Sequence, residues 1–163
     1  MKNLLIKSAL ALLLIFIGFT SARSQSIEGT YVLESRVMAD GNVIKPPQIM
    51  GVYNLESGYI NFNLANKDAS GKVQSVSYVG KYRFTPKEYY QEILFVSIND
   101  EIGGGGIKYD FGQKSGTSQV KITGKKIEFP FPPNNNILAE FEGDTFKAKT
   151  ANGAYTDNWK KAD

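Results

Sequence analysis

The chain has 163 residues, 19 Lys and Arg against 16 Asp and Glu, a formal net charge of +3, and neither Cys nor His. Their absence removes the commonest general base, the usual zinc and copper ligands, thiol catalysis and disulfides together. The near-balanced charge, with no long run of one sign, argues against nucleic acid or an anionic membrane as the main partner, and the length suits one domain of ordinary size.

At the start, Lys2 and Lys7 precede the apolar stretch Ala9 to Phe19, and the small residues Thr20, Ser21 and Ala22 follow. This is the tripartite plan of a secretory signal peptide. The apolar run is about a dozen residues, short of the roughly 20 that a spanning helix needs. The expectation is a leader over residues 1–22, cleaved after Ala22 or slightly later, and an exported domain over residues 23–163, periplasmic or secreted. No Cys follows the apolar run to carry a lipid, so no stable membrane anchor is expected.

Beyond the leader, apolar residues recur at period two, and Gly and Asn/Asp punctuate them every ten or so residues, the pattern of a strand meander. In Gly29 to Met38, Tyr31, Leu33 and Val37 share one face while Thr30, Glu34 and Arg36 share the other, before a turn at Asp40-Gly41. Pro46-Pro47 breaks pairing. A hairpin follows, Gly51 to Leu55 and Tyr59 to Leu64 around Glu56-Ser57-Gly58, with Ile60, Phe62 and Leu64 facing the core. Val73 to Phe84 places Val76, Tyr78, Tyr82 and Phe84 on one side, with Gly80 among them where a barrel strand bends.

Tyr90 to Ile98 is apolar on both faces between Ile93 and Val96, as in a strand covered on both sides. Ile107 to Phe111, Ser118 to Thr123, Lys126 to Phe131, Ile137 to Glu142, Thr145 to Thr150 and Ala154 to Lys160 continue the series. About eight to ten short strands with tight turns predict an all-β, antiparallel up-and-down barrel or sandwich. A barrel of that size can enclose one small ligand.

Candidate chemistry is sparse. Glu34 with Arg36 is the nearest approach to a charged pair, although residues two apart on a strand more often form a solvated face. Gly103 to Gly106 lacks the Lys-Ser/Thr ending of a phosphate loop and reads as a strand connection. With Pro130 to Pro133 and Asn134 to Asn136 it could border a barrel mouth. The inward aromatics are the strongest feature, either as a filled core or as the wall of an apolar site with a few hydroxyls.

Gly29-Thr30-Tyr31-Val32-Leu33, Gly51-Val52-Tyr53, Ser57-Gly58-Tyr59-Ile60, Tyr78-Val79-Gly80-Lys81-Tyr82, Ile122-Thr123-Gly124-Lys125-Lys126-Ile127 and Trp159-Lys160-Lys161 together resemble the lipocalin-like domain family of small β-barrel proteins. The chain departs from that family in having Tyr31 where Trp is usual, no His in the strand around Tyr90 to Ile98, and Trp159-Lys160-Lys161 in place of a Trp-x-Arg ending. The resemblance implies a barrel with a central apolar cavity and an architectural cluster of Tyr31, Trp159 and Lys161 at the closed end.

The leading expectation is a small apolar or amphipathic ligand held by Tyr53, Phe62, Tyr78, Tyr82 and Phe95, with no metal, cofactor or assigned catalytic residue. Two alternatives stand beside it. One is an isomerase, cyclase or lyase using Tyr or a carboxylate such as Glu92 or Asp157. The other is an interaction module presenting a strand edge or a Tyr89-Tyr90 patch.

Overall fold

The computed structural model describes residues 25–162, so the leader expected over residues 1–22 lies outside the described residues. Thirteen antiparallel strands are present: β1 Gly29–Met38, β2 Val43–Ile44, β3 Ile49–Glu56, β4 Tyr59–Lys67, β5 Val73–Phe84, β6 Glu88–Asp100 and β7 Gly106–Asp110 in the first half. The second half supplies β8 Lys114–Gln119, β9 Lys121–Thr123, β10 Lys126–Pro130, β11 Ile137–Glu142, β12 Thr145–Thr150 and β13 Tyr155–Lys161. No helix occurs among the described residues.

Sequence neighbours pair as an up-and-down meander, and β13 returns to pair with β1. The run 114–123 joins the other ends of the sheet: β8 pairs with the first half of β6, and β9 pairs with β10. Counting that run once, ten strands curl into the barrel wall (β1, β3, β4, β5, β6, β8–β9, β10, β11, β12, β13). The wall closes at one end only, because the second half of β6, Val96 to Asp100, pairs instead with β7.

Local chemistry explains the turns. Ser57 and Gly58 both have positive φ, 52° and 80°, as a two-residue type I′ hairpin requires. At the closed base the segment before β1 folds inward: Ile27 is buried, its carbonyl accepts a bond from the Tyr31 hydroxyl at 3.1 Å, and the Glu28 carboxylate accepts one from Tyr82 at 3.1 Å. Above Ile27 the base is solid with rings. Phe141 and Phe146 stack at 4.4 Å, Tyr89 and Phe129 at 4.2 Å, and Tyr31 meets Phe141 edge-on at 5.6 Å. Arrangements of this kind each add about 0.5–1.5 kcal/mol beyond area burial.

Two β-bulges overturn parts of the alternation read from the sequence. Leu33 pairs with Trp159 and Ser35 with Asn158, leaving Glu34 as an extra residue in β1. Beyond it the parity reverses, so Arg36 points inward and Val37 outward. In the same way Gly80 pairs with Ile93 and Val79 with Phe95, leaving Leu94 extra in β6. Tyr89, Gln91 and Ile93 face inward before the bulge, Val96 and Ile98 share the inward face after it, and Phe95 is turned to the outside. Gly80 is needed there, since a Cβ on it would sit 2.6 Å from the Glu92 carbonyl oxygen.

Candidate functional site

Above the ring-filled base the barrel holds a cavity of about 240 Å³, with walls from β3, β4, β5, β11, β12 and β13 and from the start of the loop after β10. Tyr53, Phe62 and Tyr78, three of the five residues expected to line a pocket, are brought together here. Tyr53 meets Phe62 edge-on at 5.5 Å, and Phe62 stacks on Tyr78 at 4.9 Å. Tyr82 is a correction: it faces inward but lies a full layer lower, stacked on Tyr89 at 6.2 Å and bonded to Glu28. Phe95 is another, because the Leu94 bulge carries it to the outer face, where it packs against Tyr109 and Phe111.

Trp159 belongs to the cavity wall rather than to the closed end implied by the family resemblance. It stacks with Phe146 at 5.9 Å and overlies Gly51, where a Cβ would lie 2.6 Å from the Trp ring. Gly51 is therefore the floor on which the indole rests. Tyr31 and Lys161 do sit at the closed end. The two residues pair in register, and the Lys161 ammonium donates to the Glu28 carbonyl at 2.7 Å.

Two polar atoms of the wall stand out. The Trp159 indole N–H is buried with no hydrogen-bond partner among the described residues, and the buried Tyr53 hydroxyl makes no well-aligned hydrogen bond, although the Tyr78 and Tyr89 hydroxyls lie close enough to act on it. Leaving such a group unsatisfied costs about 1–3 kcal/mol, and most buried polar groups are paired. Burial, and then the neighbouring Tyr78 and Tyr89, push the Tyr53 pKa well above the ordinary tyrosine value. Burial pushes Tyr78 up to about 12. Both phenols therefore stay protonated over the physiological range, as donors.

At the rim, Arg36 and Asp157 form a bidentate pair, Nε to Oδ1 at 2.6 Å and the second guanidinium nitrogen to Oδ2 at 2.8 Å. The guanidinium lies 3.8 Å over the Tyr155 ring. Burial works against the Arg36 charge, but the bond to Asp157 outweighs it and raises the pKa further. The carboxylate partner of Arg36 is thus Asp157, on the last strand, and the Glu34–Arg36 strand-face pair does not form. Asp157 has both oxygens occupied, and Glu92 lies on the face opposite the buried Gln91, across from Lys81 and Ser115. Neither carboxylate weighed for proton transfer stands free in the cavity.

Phe131 and Ile137 line the cavity and also a smaller dent of about 160 Å³ on its outer side, with Pro132, Pro133, Asn134, Asn136 and Ile93. The loop 131–136 thus borders both spaces. It packs on β8 at Gly116, where a Cβ would sit 2.8 Å from Pro132. Residues of the four-glycine segment line neither space; its turn is held by Asp100, which accepts from the Gly103 amide at 3.0 Å. Tyr89 of the expected Tyr89-Tyr90 patch is fully buried, a further correction.

A wider depression of about 490 Å³, partly bordered by exposed Val32, Met50 and Val52, has none of the unpartnered polar atoms on its wall. The interior cavity is the candidate site.

No protein-family model matches the chain, and no curated protein does. Among solved structures it is similar to the crystal structure of a lipocalin-like protein from Bacteroides uniformis, at 14% identity and a TM-score of 0.31, covering 83% of this chain and 98% of that one. A likeness that distant carries no functional argument, and the site is read from its own residues.

Proposed function

We propose that this protein is an exported barrel that binds one small, mostly apolar molecule bearing a hydrogen-bond acceptor. The observation that carries this reading is the buried, partnerless indole N–H of Trp159 in the wall of an otherwise aromatic cavity. An acceptor oxygen on the guest satisfies a donor at a cost that water outside would otherwise recover. The volume holds about eight groups of water size, at ~30 Å³ each, so the guest is a compact molecule rather than a long acyl chain. Tyr53, Phe62, Tyr78, Phe146 and Trp159 supply flat apolar contact. Arg36 is already neutralised by Asp157, so the guest need carry no charge.

The test pairs an aromatic ester with an alkylbenzene of matching size, measured by calorimetry or ligand-observed NMR. The ester should bind about fivefold tighter per satisfied bond, since one hydrogen bond contributes about 1 kcal/mol. Trp159→Phe should erase that preference while keeping alkylbenzene affinity. Equal affinity of the wild type for both compounds, or no uptake of either, would sink the reading. Export is supported by the pattern of residues 1–22; the mass of the mature chain recovered from the exporting host checks it, and a mature form retaining Met1 would contradict it.

A further inference from the structure

The strongest unexplained feature outside the cavity is β7. It pairs with β6 on one side, and on the other it ends the sheet, with no partner strand among the described residues. Its outward side chains, with that of the residue just past its end, are unusually apolar for an edge: Ile107 is 63% exposed, Tyr109 62% and Phe111 74%. They continue a strip that runs through Val79 and Phe95, with Phe95 stacked on Tyr109 and 5.1 Å from Phe111. A free edge beside exposed aromatics is a template for another strand.

We propose that β7 pairs antiparallel with β7 of a second copy of this chain, with the two-fold axis at Tyr109. Charge and shape select both occupant and register. With Tyr109 opposite Tyr109, Lys108 of each copy faces Asp110 of the other on one side of the sheet, joining the exposed ion pair that Asp110 already makes with Lys114 at 2.8 Å, and on the other side Ile107 faces Phe111 once the pairing extends one residue past β7. Shifting the centre to Lys108 sets Lys against Lys, and centring on Asp110 sets Asp against Asp. Like charges directly opposite are destabilising, and opposite charges or aromatic–aliphatic pairs each stabilise by about 0.2–1 kcal/mol. The strand is thus complementary to itself in one register, the requirement of an isologous interface.

Sedimentation equilibrium of the purified protein tests this. The wild type should show a monomer–dimer equilibrium. Lys108→Asp and Asp110→Lys, each placing like charges opposite one another twice, should weaken dimerisation about tenfold or more. The double variant K108D/D110K should restore it to within about threefold. As a second measure, Tyr109→Cys introduces the sole cysteine at the two-fold and should form a disulfide dimer on mild oxidation. Ile107→Cys should not, because its symmetry mate lies about 14 Å away along the strand at ~3.4 Å per residue. A monomer at all concentrations, whether or not it binds lipid vesicles or another protein, overturns the proposal, as does a dimer indifferent to the swaps or a double variant no better than the singles.

Discussion

The bulges at Glu34 and Leu94 are the same backbone device with opposite results. In β1 the extra residue turns a charge inward, and Arg36 survives there only because β13 offers Asp157 at 2.6 Å. In β6 it turns an aromatic outward, and Phe95 finds company in Tyr109 of β7 and in Phe111 just past it. The first bulge creates an obligation that a buried partner must meet. The second creates an apolar surface that nothing in the described chain covers. A reversal of side-chain parity is therefore neither stabilising nor destabilising by itself; the neighbouring strand decides.

This contrast can be broken most severely at Arg36. Arg36→Leu strands a buried carboxylate and should cost about 3–5 kcal/mol in a denaturant titration. Adding Asp157→Leu should recover most of that loss; a double variant as unstable as the single would show that the pair is not the main cause.

At the second bulge, Gly80→Ala forces a Cβ against the Glu92 carbonyl, which belongs to the backbone and yields little. A loss of about 1–3 kcal/mol is expected, with unchanged stability disproving the close approach. The outward Phe95 should matter least: Phe95→Ser should cost under about 1 kcal/mol, in keeping with surface substitutions, and leave uptake of the alkylbenzene intact. Loss of uptake would return Phe95 to the cavity wall.

The closed base adds a slower test by pH. Burial first, and then Asp144, raise Tyr31 to about 12 in the folded chain, against an ordinary 10. Above pH 10 the unfolded form releases its phenol proton before the folded form does, so stability is full below 10 and falls as pH rises toward 12. Tyrosinate absorbance should rise together with the unfolding signal in this range, and titration of all nine tyrosines in the folded state would contradict the packed base.

Much of the fold was legible in the residues. Alternation in Tyr59 to Leu64 and Val73 to Phe84 placed Ile60, Phe62, Leu64, Val76, Tyr78 and Tyr82 on the inward face, and Ser57-Gly58 marked its hairpin. Tyr53, Phe62 and Tyr78 reached the cavity for that reason. Trp159 and Phe146 carried the same aromatic signal, but their height in the barrel depends on how β12 and β13 slide against their neighbours. The exposed apolar alternation of Ile107, Tyr109 and Phe111 was equally visible, yet only the missing partner of β7 turns it into a surface.

The sequence by itself determined an all-β meander, because side-chain alternation and turn chemistry act over a few residues. The tertiary structure alone decided which way Arg36 and Phe95 point. A bulge is a mismatch in count between two paired strands, and the partner that fixes Arg36 lies 121 residues away.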